Sequence, residues 1–376
     1  MTSRERMLTA MRHGQADCVP VCPDISNMIP CKLQNRPFWE IYIHQNPPLW
    51  KAYVEAVTYF GIDAWYDEGS LQFISKERTT PERVYLARQG DRYVERKLYR
   101  TPAGNMRETT IFPMYDSPTK VEKVVKDFKE DFEKYMYFYP EIQDYDDEIF
   151  KIQKEELGER GVIGIYAGDP GIATMISFFD GNLEAAIYAY HDYPDEFSQV
   201  VERQHKWCLR KAEMAIDAGV DFVEVGGSGD LTLQTPAMWR EIVLPTIREI
   251  TRMCKQAGVI SGLHTCGKQR YIAEVCAEET DLDYINPLEG PPMGDCNLGE
   301  LKRKYGEKLC LMGNLHTTDV MLRGTPEGVE RASIEAIDDA GKGGGFILST
   351  GDQCGRDTPE ENLFRMVEVA RTYGKY

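Results

Sequence analysis

The apolar positions of this chain recur in short runs that alternate with longer amphipathic segments. The short runs have the length of buried strands, and each is followed by a polar or glycine-containing turn. Eight such runs lie at residues 19–22, 62–66, 162–166, 221–225, 259–264, 282–286, 308–312 and 346–349. Most are separated by segments of helical length, such as residues 183–218 and 236–257. This alternation predicts an α/β fold of the (β/α)8 TIM-barrel type.

A doubly wound parallel sheet is the competing interpretation, but no G-x-G-x-x-G motif follows the first run to support it. The alternation is interrupted at residues 83–112, where β-prone runs are separated by turn residues at 89–91 and 102–105. These turns predict a β-hairpin or meander, followed by an acidic, aromatic helical region at 119–138. We therefore expect one domain over residues 1–376, with residues 83–159 elaborating the barrel before its third strand.

Composition narrows the class of protein without identifying it. The chain has 376 residues, 42% of them hydrophobic, and a formal net charge of −17. The acidic charge disfavours nucleic acid as a partner, and without an apolar run of about 18 residues no membrane span is predicted. Residues 1–6 are polar with no apolar stretch behind them, so we expect a cytoplasmic protein without a signal peptide. Its 10 cysteines are then expected to be free thiols or ligands.

Four residues with metal-binding side chains follow three different predicted strands. His264 and Cys266 end the fifth run, Glu289 follows the sixth, and Cys354 follows the eighth. In extended chain, positions i and i+2 point the same way, so His264 and Cys266 can reach one ion. Imidazole, thiolate and carboxylate are zinc ligands, and ligands spread over several strands suit a catalytic zinc. Each residue taken alone is more typical of a buried core; the four together favour the metal.

Other polar residues follow the remaining strands, where the ligand-binding loops of a barrel lie. Asp169 follows the third strand and Asp230 the fourth, both beside glycines that permit close approach of a ligand. Asp169, together with Asn314 after the seventh strand, is predicted to contact substrate; an ordinary tight turn is the alternative for Asp169. Asp230 and His316 are predicted proton carriers. For His316 the favoured alternative is that it only begins a helix.

These motifs resemble those of the uroporphyrinogen decarboxylase-like superfamily, and more closely its zinc-dependent, corrinoid-linked methyltransferases. The resemblance covers nearly the whole chain: residues 4–8 and 17–21 are similar to the first helix and strand, and residues 239–245 to the helix after strand four. His264 and Cys266 with Cys354 match the family's H-x-C…C zinc motif, and Glu289 matches a carboxylate ligand of the related cobalamin-independent methionine synthase. The resemblance therefore implies a TIM barrel with zinc held by these four residues.

The resemblance also implies a methyltransferase whose cobalamin is supplied by a separate corrinoid protein docking over the barrel mouth. The chain lacks the D-x-H-x-x-G motif of corrinoid carriers, and its 21 Tyr favour a methoxylated aromatic ether as the methyl donor. Transfer from the corrinoid protein to a thiol of the coenzyme M type is the second expectation. Two further expectations remain. One is a uroporphyrinogen decarboxylase, although residues 31–36 lack the R-Q-A-G-R signature of that enzyme. The other is a non-catalytic binding protein. The sequence leaves open whether the chain forms a homo-oligomer.

Overall fold

The computed structural model describes residues 1–77 and 79–376. Within them the strands are β1 (Ala64–Tyr66), β2 (Gln72–Ile74), β3 (Pro81–Gln89), β4 (Arg92–Thr101), β5 (Gly104–Pro113), β6 (Thr119–Glu122), β7 (Asp144–Asp146), β8 (Gly161–Gly168), β9 (Phe222–Val225), β10 (Ile260–His264), β11 (Tyr284–Asn286), β12 (Cys310–Leu315) and β13 (Phe346–Thr350). The α-helices are α1 (Ser3–Met11), α2 (Met28–Leu33), α3 (Phe38–Tyr42), α4 (Leu49–Phe60), α5 (Phe128–Tyr135), α6 (Glu148–Leu157), α7 (Ile172–Ile176), α8 (Asn182–Asp192), α9 (Pro194–Asp217), α10 (Asp230–Leu233), α11 (Pro236–Ile242), α12 (Leu244–Ala257), α13 (Arg270–Glu279), α14 (Leu298–Tyr305), α15 (Pro326–Ala340) and α16 (Glu360–Thr372). Short 3-10 helices lie at Met136–Phe138 and Gly158–Arg160, and a π-helix at Thr317–Leu322.

The core of the fold is a seven-stranded parallel sheet in the order β1-β8-β9-β10-β11-β12-β13. Its strands are short and almost wholly buried, as expected for a parallel sheet covered by helices on its outer face. Each is joined to the next by a segment that contains at least one helix. This arrangement confirms the predicted α/β fold of TIM-barrel-like type.

The sheet curls, and the first predicted strand lies between its two edges. Val21 forms a parallel bridge with Leu348 of β13, and its carbonyl oxygen accepts from the amide of Asp63, next to β1, at 2.9 Å. Residues 19–22 therefore contribute a single bridge at this position, where the pattern predicted a full strand. A buried cluster draws on residue 22, all seven strands of the sheet and helix α1: Met7, Ala10, Met11, Cys22, Trp65, Val162, Phe222, Ile260, Tyr284, Cys310, Met312 and Ile347.

Between β1 and β8 the chain forms a four-stranded antiparallel sheet, β3-β4-β5-β6, and the small pair β2-β7. The larger sheet packs against α3, where the rings of Trp39 and Tyr93 lie 5.3 Å apart. The helical region expected over residues 119–138 is wrong in its first part, because Thr119–Glu122 pairs with β5 as a strand. Helix α5 begins only after Asp127, whose carboxylate accepts from the Glu130 amide at 3.0 Å.

All 10 cysteines are free, as predicted. Among the described residues, no helix is long and apolar enough to cross a membrane. The strands of the sheet are parallel, so their C-terminal ends meet at one mouth, and the loops that follow them carry the candidate site.

Candidate metal centre at the barrel mouth

Three side chains with metal-binding atoms meet at the C-terminal ends of β10 and β13. His264 is the last residue of β10, Cys266 follows two residues later, and Asp352 lies two residues beyond β13. Their ligand atoms all lie within 4.8 Å of one another, and each residue is half-buried. The sequence predicted the proximity of His264 and Cys266. Asp352 was missed, although it lies in the same loop as the predicted ligand Cys354.

The electrostatics of Cys266 favour a cation at this point. Burial raises the pKa of the Cys266 thiol to about 11, and the Asp352 carboxylate adds to the shift, whereas a hydrogen bond from Ser228 opposes it. Without a nearby positive charge this thiol therefore keeps its proton at neutral pH. A bound cation stabilises the thiolate and offsets the Asp352 charge. The imidazole, thiol and carboxylate fit zinc, which accepts all three donor types in one coordination sphere.

The loop after β10 is held against the loop after β11 by hydrogen bonds to the backbone. The Thr265 amide donates to the Asn286 carbonyl oxygen at 3.2 Å, and the Gln269 side-chain amide donates to the same oxygen at 2.5 Å. The Gln269 side-chain oxygen accepts from the Leu288 amide at 2.7 Å. These bonds fix the spacing between the two segments that carry His264, Cys266 and Glu289.

Glu289 lies beside the three-residue group without joining it. Its carboxylate accepts from the amide of Gly267, and only 6% of the residue is exposed. Burial raises the pKa of Glu289; the hydrogen bond from Gly267 opposes the shift, and the charge of Asp352 adds to it. Glu289 also lines a cavity of about 70 Å³ together with Asn314 and His316. It therefore connects the predicted metal site with the predicted substrate and proton-carrier residues.

Cys354 lies behind the group and is fully buried. Its amide donates to the carbonyl oxygen of Asp24 at 2.8 Å, which ties the loop after β13 to the segment after residues 19–22. Burial raises the pKa of the Cys354 thiol to about 12, and the Asp24 charge adds to the shift. The structure thus brings His264 and Cys266 together with Asp352, and does not bring Cys354 or Glu289 into the same 4.8 Å group.

Asp169 and Asp230 form a buried carboxyl pair beneath the loop after β9. Asp169 is 3% exposed and Asp230 is fully buried, where it accepts from the Trp239 indole N–H at 3.2 Å. Burial raises the pKa of Asp169 to about 7 and that of Asp230 well above its usual range, to which the Asp169 charge adds. A side chain at Gly227 would lie 2.8 Å from both Asp169 carboxylate oxygens. The pair is therefore enclosed, and burial favours the protonated form of both carboxyl groups.

His316 caps the π-helix Thr317–Leu322. Its Nδ1 accepts from the amides of Thr318 at 3.2 Å and Asp319 at 3.0 Å, which confirms the alternative that it starts a helix. Because Nδ1 accepts, Nε2 carries the proton; Nε2 is buried and has no hydrogen-bond partner among the described residues. The Asn314 side-chain amide donates to the Leu288 carbonyl oxygen at 2.9 Å.

Three further carboxylates near the mouth were missed by the sequence analysis: Asp24, Asp67 and Glu68. Burial raises the pKa of Asp24, whereas a hydrogen bond from Ser26 and the electrostatic effect of His264 lower it. Burial likewise raises the pKa of Asp67 to about 7, and Glu68 and Asp24 add to the shift. With Asp352 these residues form an acidic mouth. Each follows a predicted strand, so the rule that found His264 and Glu289 would have found them too.

Comparisons with known proteins agree with this architecture. The family described as uroporphyrinogen decarboxylase (URO-D) matches residues 106–373. A methylcobamide:CoM methyltransferase, MtbA, from Methanosarcina mazei is 28% identical over 232 residues, 59% of this chain and 62% of the relative. A uroporphyrinogen decarboxylase from Coxiella burnetii is 22% identical over 194 residues, 49% of each chain.

The chain therefore spans about half to three fifths of the length of these curated relatives. The solved structure of a methyltransferase from Methanosarcina mazei superposes with a TM-score of 0.67 over 99% of both chains. At 17% identity this likeness shows a common fold.

Proposed function

Because this chain belongs to the uroporphyrinogen decarboxylase (URO-D) family, we propose that it is a methyltransferase that exchanges a methyl group with a corrinoid cofactor. The observation that carries the proposal is the group formed by His264, Cys266 and Asp352 at the barrel mouth. A decarboxylase acting on a substrate with several carboxylates is disfavoured, since the acidic mouth repels such a substrate. The relative MtbA is named for methylcobamide and CoM, which favours the methyltransferase branch.

The proposed cofactor is zinc, held by His264, Cys266 and Asp352. Glu289 and Cys354, the further ligands implied by the family resemblance, are close enough to influence the electrostatics of this site. A bound zinc supplies Lewis-acid chemistry, either stabilising an oxygen leaving group or lowering the pKa of a substrate thiol. The hydrogen bond from Ser228 holds the Cys266 sulfur in place and favours its thiolate form.

The proposed methyl donor is a methoxylated aromatic ether, and the proposed acceptor is the cobalt of a separate corrinoid protein. When the methyl group passes from the ether oxygen to Co(I), a phenoxide remains and takes up one proton. His316 lines the cavity shared with Glu289, and its Nε2–H is proposed to donate a hydrogen bond to the departing oxygen, while the proton itself comes from solvent. Asp230, the other predicted proton carrier, is enclosed with Asp169, and its burial keeps it from direct contact with substrate. Asn314 borders the cavity and is the proposed substrate contact. Asp169, predicted for the same role, is 3% exposed and does not line this cavity.

Methyl transfer to a thiol is the second candidate, favoured by the coenzyme M in the name of MtbA. The same site serves this reaction, because a thiolate bound beside His264 and Cys266 can attack a methyl group on cobalt. In both directions the corrinoid protein is expected to dock over the mouth. We further propose a single cytoplasmic TIM-barrel domain over residues 1–376, elaborated by residues 83–159.

The test combines metal content with transfer assays in both directions. Elemental analysis of purified protein should give about one zinc per chain. Cys266→Ala should lose it, whereas the matched control Cys276→Ala, which changes a buried cysteine of α13, should retain it. Methoxyaromatics are then assayed with cob(I)alamin, and thiols with methylcobalamin, by cobalamin absorbance. Zinc retained in Cys266→Ala, or release of CO₂ from uroporphyrinogen without any methyl transfer, would contradict the proposal.

A further inference from the structure

Directly below the metal group, the barrel interior contains a chain of polar side chains. Glu224 of β9 is fully buried, and its Oε2 accepts from the hydroxyl of Tyr284 on β11. Its Oε1 accepts from the Asn286 side-chain amide at 3.5 Å. The Trp65 indole N–H donates to the Tyr284 oxygen at 2.8 Å. Burying a carboxyl group in an apolar core costs free energy unless it is hydrogen-bonded, and these contacts supply its hydrogen bonds.

Gly262 of β10 makes room for this network. In the sheet Gly262 is the register partner of both Glu224 and Tyr284. A Cβ at this position would lie under 3.0 Å from the Glu224 carboxylate and from the Tyr284 ring. The glycine lets both side chains lean over β10, two residues before His264 at the end of the same strand.

The network determines which way the Asn286 side chain faces. Its amide nitrogen points to Glu224, so its carbonyl oxygen Oδ1 faces His264 and lies 2.5 Å from the ring Nδ1. A carbonyl oxygen only accepts, and Nδ1 must therefore donate. In a neutral imidazole with the proton on Nδ1, Nε2 has the free lone pair that binds a metal ion.

A proton on Glu224 does not reverse this direction. Burial raises the pKa of Glu224 well above its usual range, so the carboxyl group can carry a proton in the folded protein. When that proton is on Oε2, the oxygen in contact with Tyr284, Oε2 donates to the Tyr284 hydroxyl. Oε1 stays an acceptor for the Asn286 amide, and the orientation of Asn286 is the same in both forms.

We propose that Glu224 is a positioning residue which, acting through Asn286, fixes the tautomer and ring orientation of His264 and presents Nε2 at the mouth. The inference rests on the proposed function for the identity of the ion that Nε2 binds. Its structural part, the tautomer, is a property of the metal-free protein. Partners that orient a ligating histidine commonly change metal affinity by about 10–100-fold when they are removed.

The first test reads the His264 tautomer by ¹⁵N NMR of the metal-free protein. The wild-type protein should show a protonated Nδ1 and an unprotonated Nε2. Glu224→Met keeps a side chain of similar length without an acceptor, so Asn286 is released and the Nε2-protonated tautomer should appear. Asn286→Asp places an oxygen toward His264 in either side-chain orientation, so the double variant Glu224→Met/Asn286→Asp should restore the wild-type tautomer.

The second test measures zinc affinity by chelator competition and the Co(II) absorption spectrum. Glu224→Met should weaken binding by about 10–100-fold, and the double variant should recover it. Glu108→Met is the matched control, since Glu108 is also a buried carboxylate that accepts from a tyrosine hydroxyl, but it lies in β5. An unprotonated Nδ1 in the wild-type protein overturns the inference even if no variant folds. So does a Glu224→Met protein with the wild-type tautomer. Failure of the wild-type protein to bind zinc contradicts the proposed function and leaves the tautomer test valid.

Discussion

Substituting Gly262 by alanine should be among the most damaging single-methyl additions in this chain. The added Cβ would lie under 3.0 Å from the Glu224 carboxylate and the Tyr284 ring, whereas carbon contacts are normally about 3.5–4.0 Å. Both neighbours are fully buried and hydrogen-bonded to each other, so neither can move without breaking the network. Overpacking alone costs about 1–3 kcal/mol, and an unpaired buried carboxyl adds about 1–3 kcal/mol. We therefore expect Gly262→Ala to lower the free energy of unfolding by about 2–6 kcal/mol.

Urea unfolding followed by circular dichroism measures this loss. Gly328→Ala is the control, because its added Cβ meets its nearest atom at 3.8 Å, an ordinary contact, and alanine favours the helix α15. The control should be neutral or more stable by up to about 1 kcal/mol. If Gly262→Ala were within about 0.5 kcal/mol of wild type, the tight packing of Glu224 and Tyr284 over β10 would be refuted.

Three further predictions concern other parts of the molecule. Asp63→Ala should destabilise the protein by about 3–5 kcal/mol, because Asp63 pairs with Arg6 at 2.7 Å and also accepts from the Val21 amide. A loss below about 1 kcal/mol in urea unfolding would contradict this. The folded-state pKa of Asp169 is about 7, above its ordinary ~3.9, so stability should fall as the pH rises from about 4 to 7. Asp169→Asn should flatten that decline, and an unchanged pH profile would count against the buried carboxyl pair. Removing zinc with a chelator should abolish methyl transfer and adding zinc should restore it; activity that survives chelation would exclude a catalytic metal.

Local sequence patterns anticipated much of the architecture and part of the site. The alternation of short apolar runs with amphipathic segments is a property of the chain itself, and seven of the eight runs contain strands of the parallel sheet. The first run was the exception, because residues 19–22 form a single bridge to β13 instead of a ladder. The prediction of helix at β6 is wrong because its pairing with β5 is a tertiary contact with no local signal.

The chain order alone shows that polar residues end the strands and that His264 and Cys266 share one side of an extended segment. Which residue of the loop after β13 lies near them depends on the folded chain. Asp352 and Cys354 are two residues apart, and of these two it is Asp352 that falls in the group within 4.8 Å. Glu224 likewise interrupts an apolar run without indicating a partner. Its contact with His264 through Asn286 exists only because pairing within the sheet brings β9, β10 and β11 side by side.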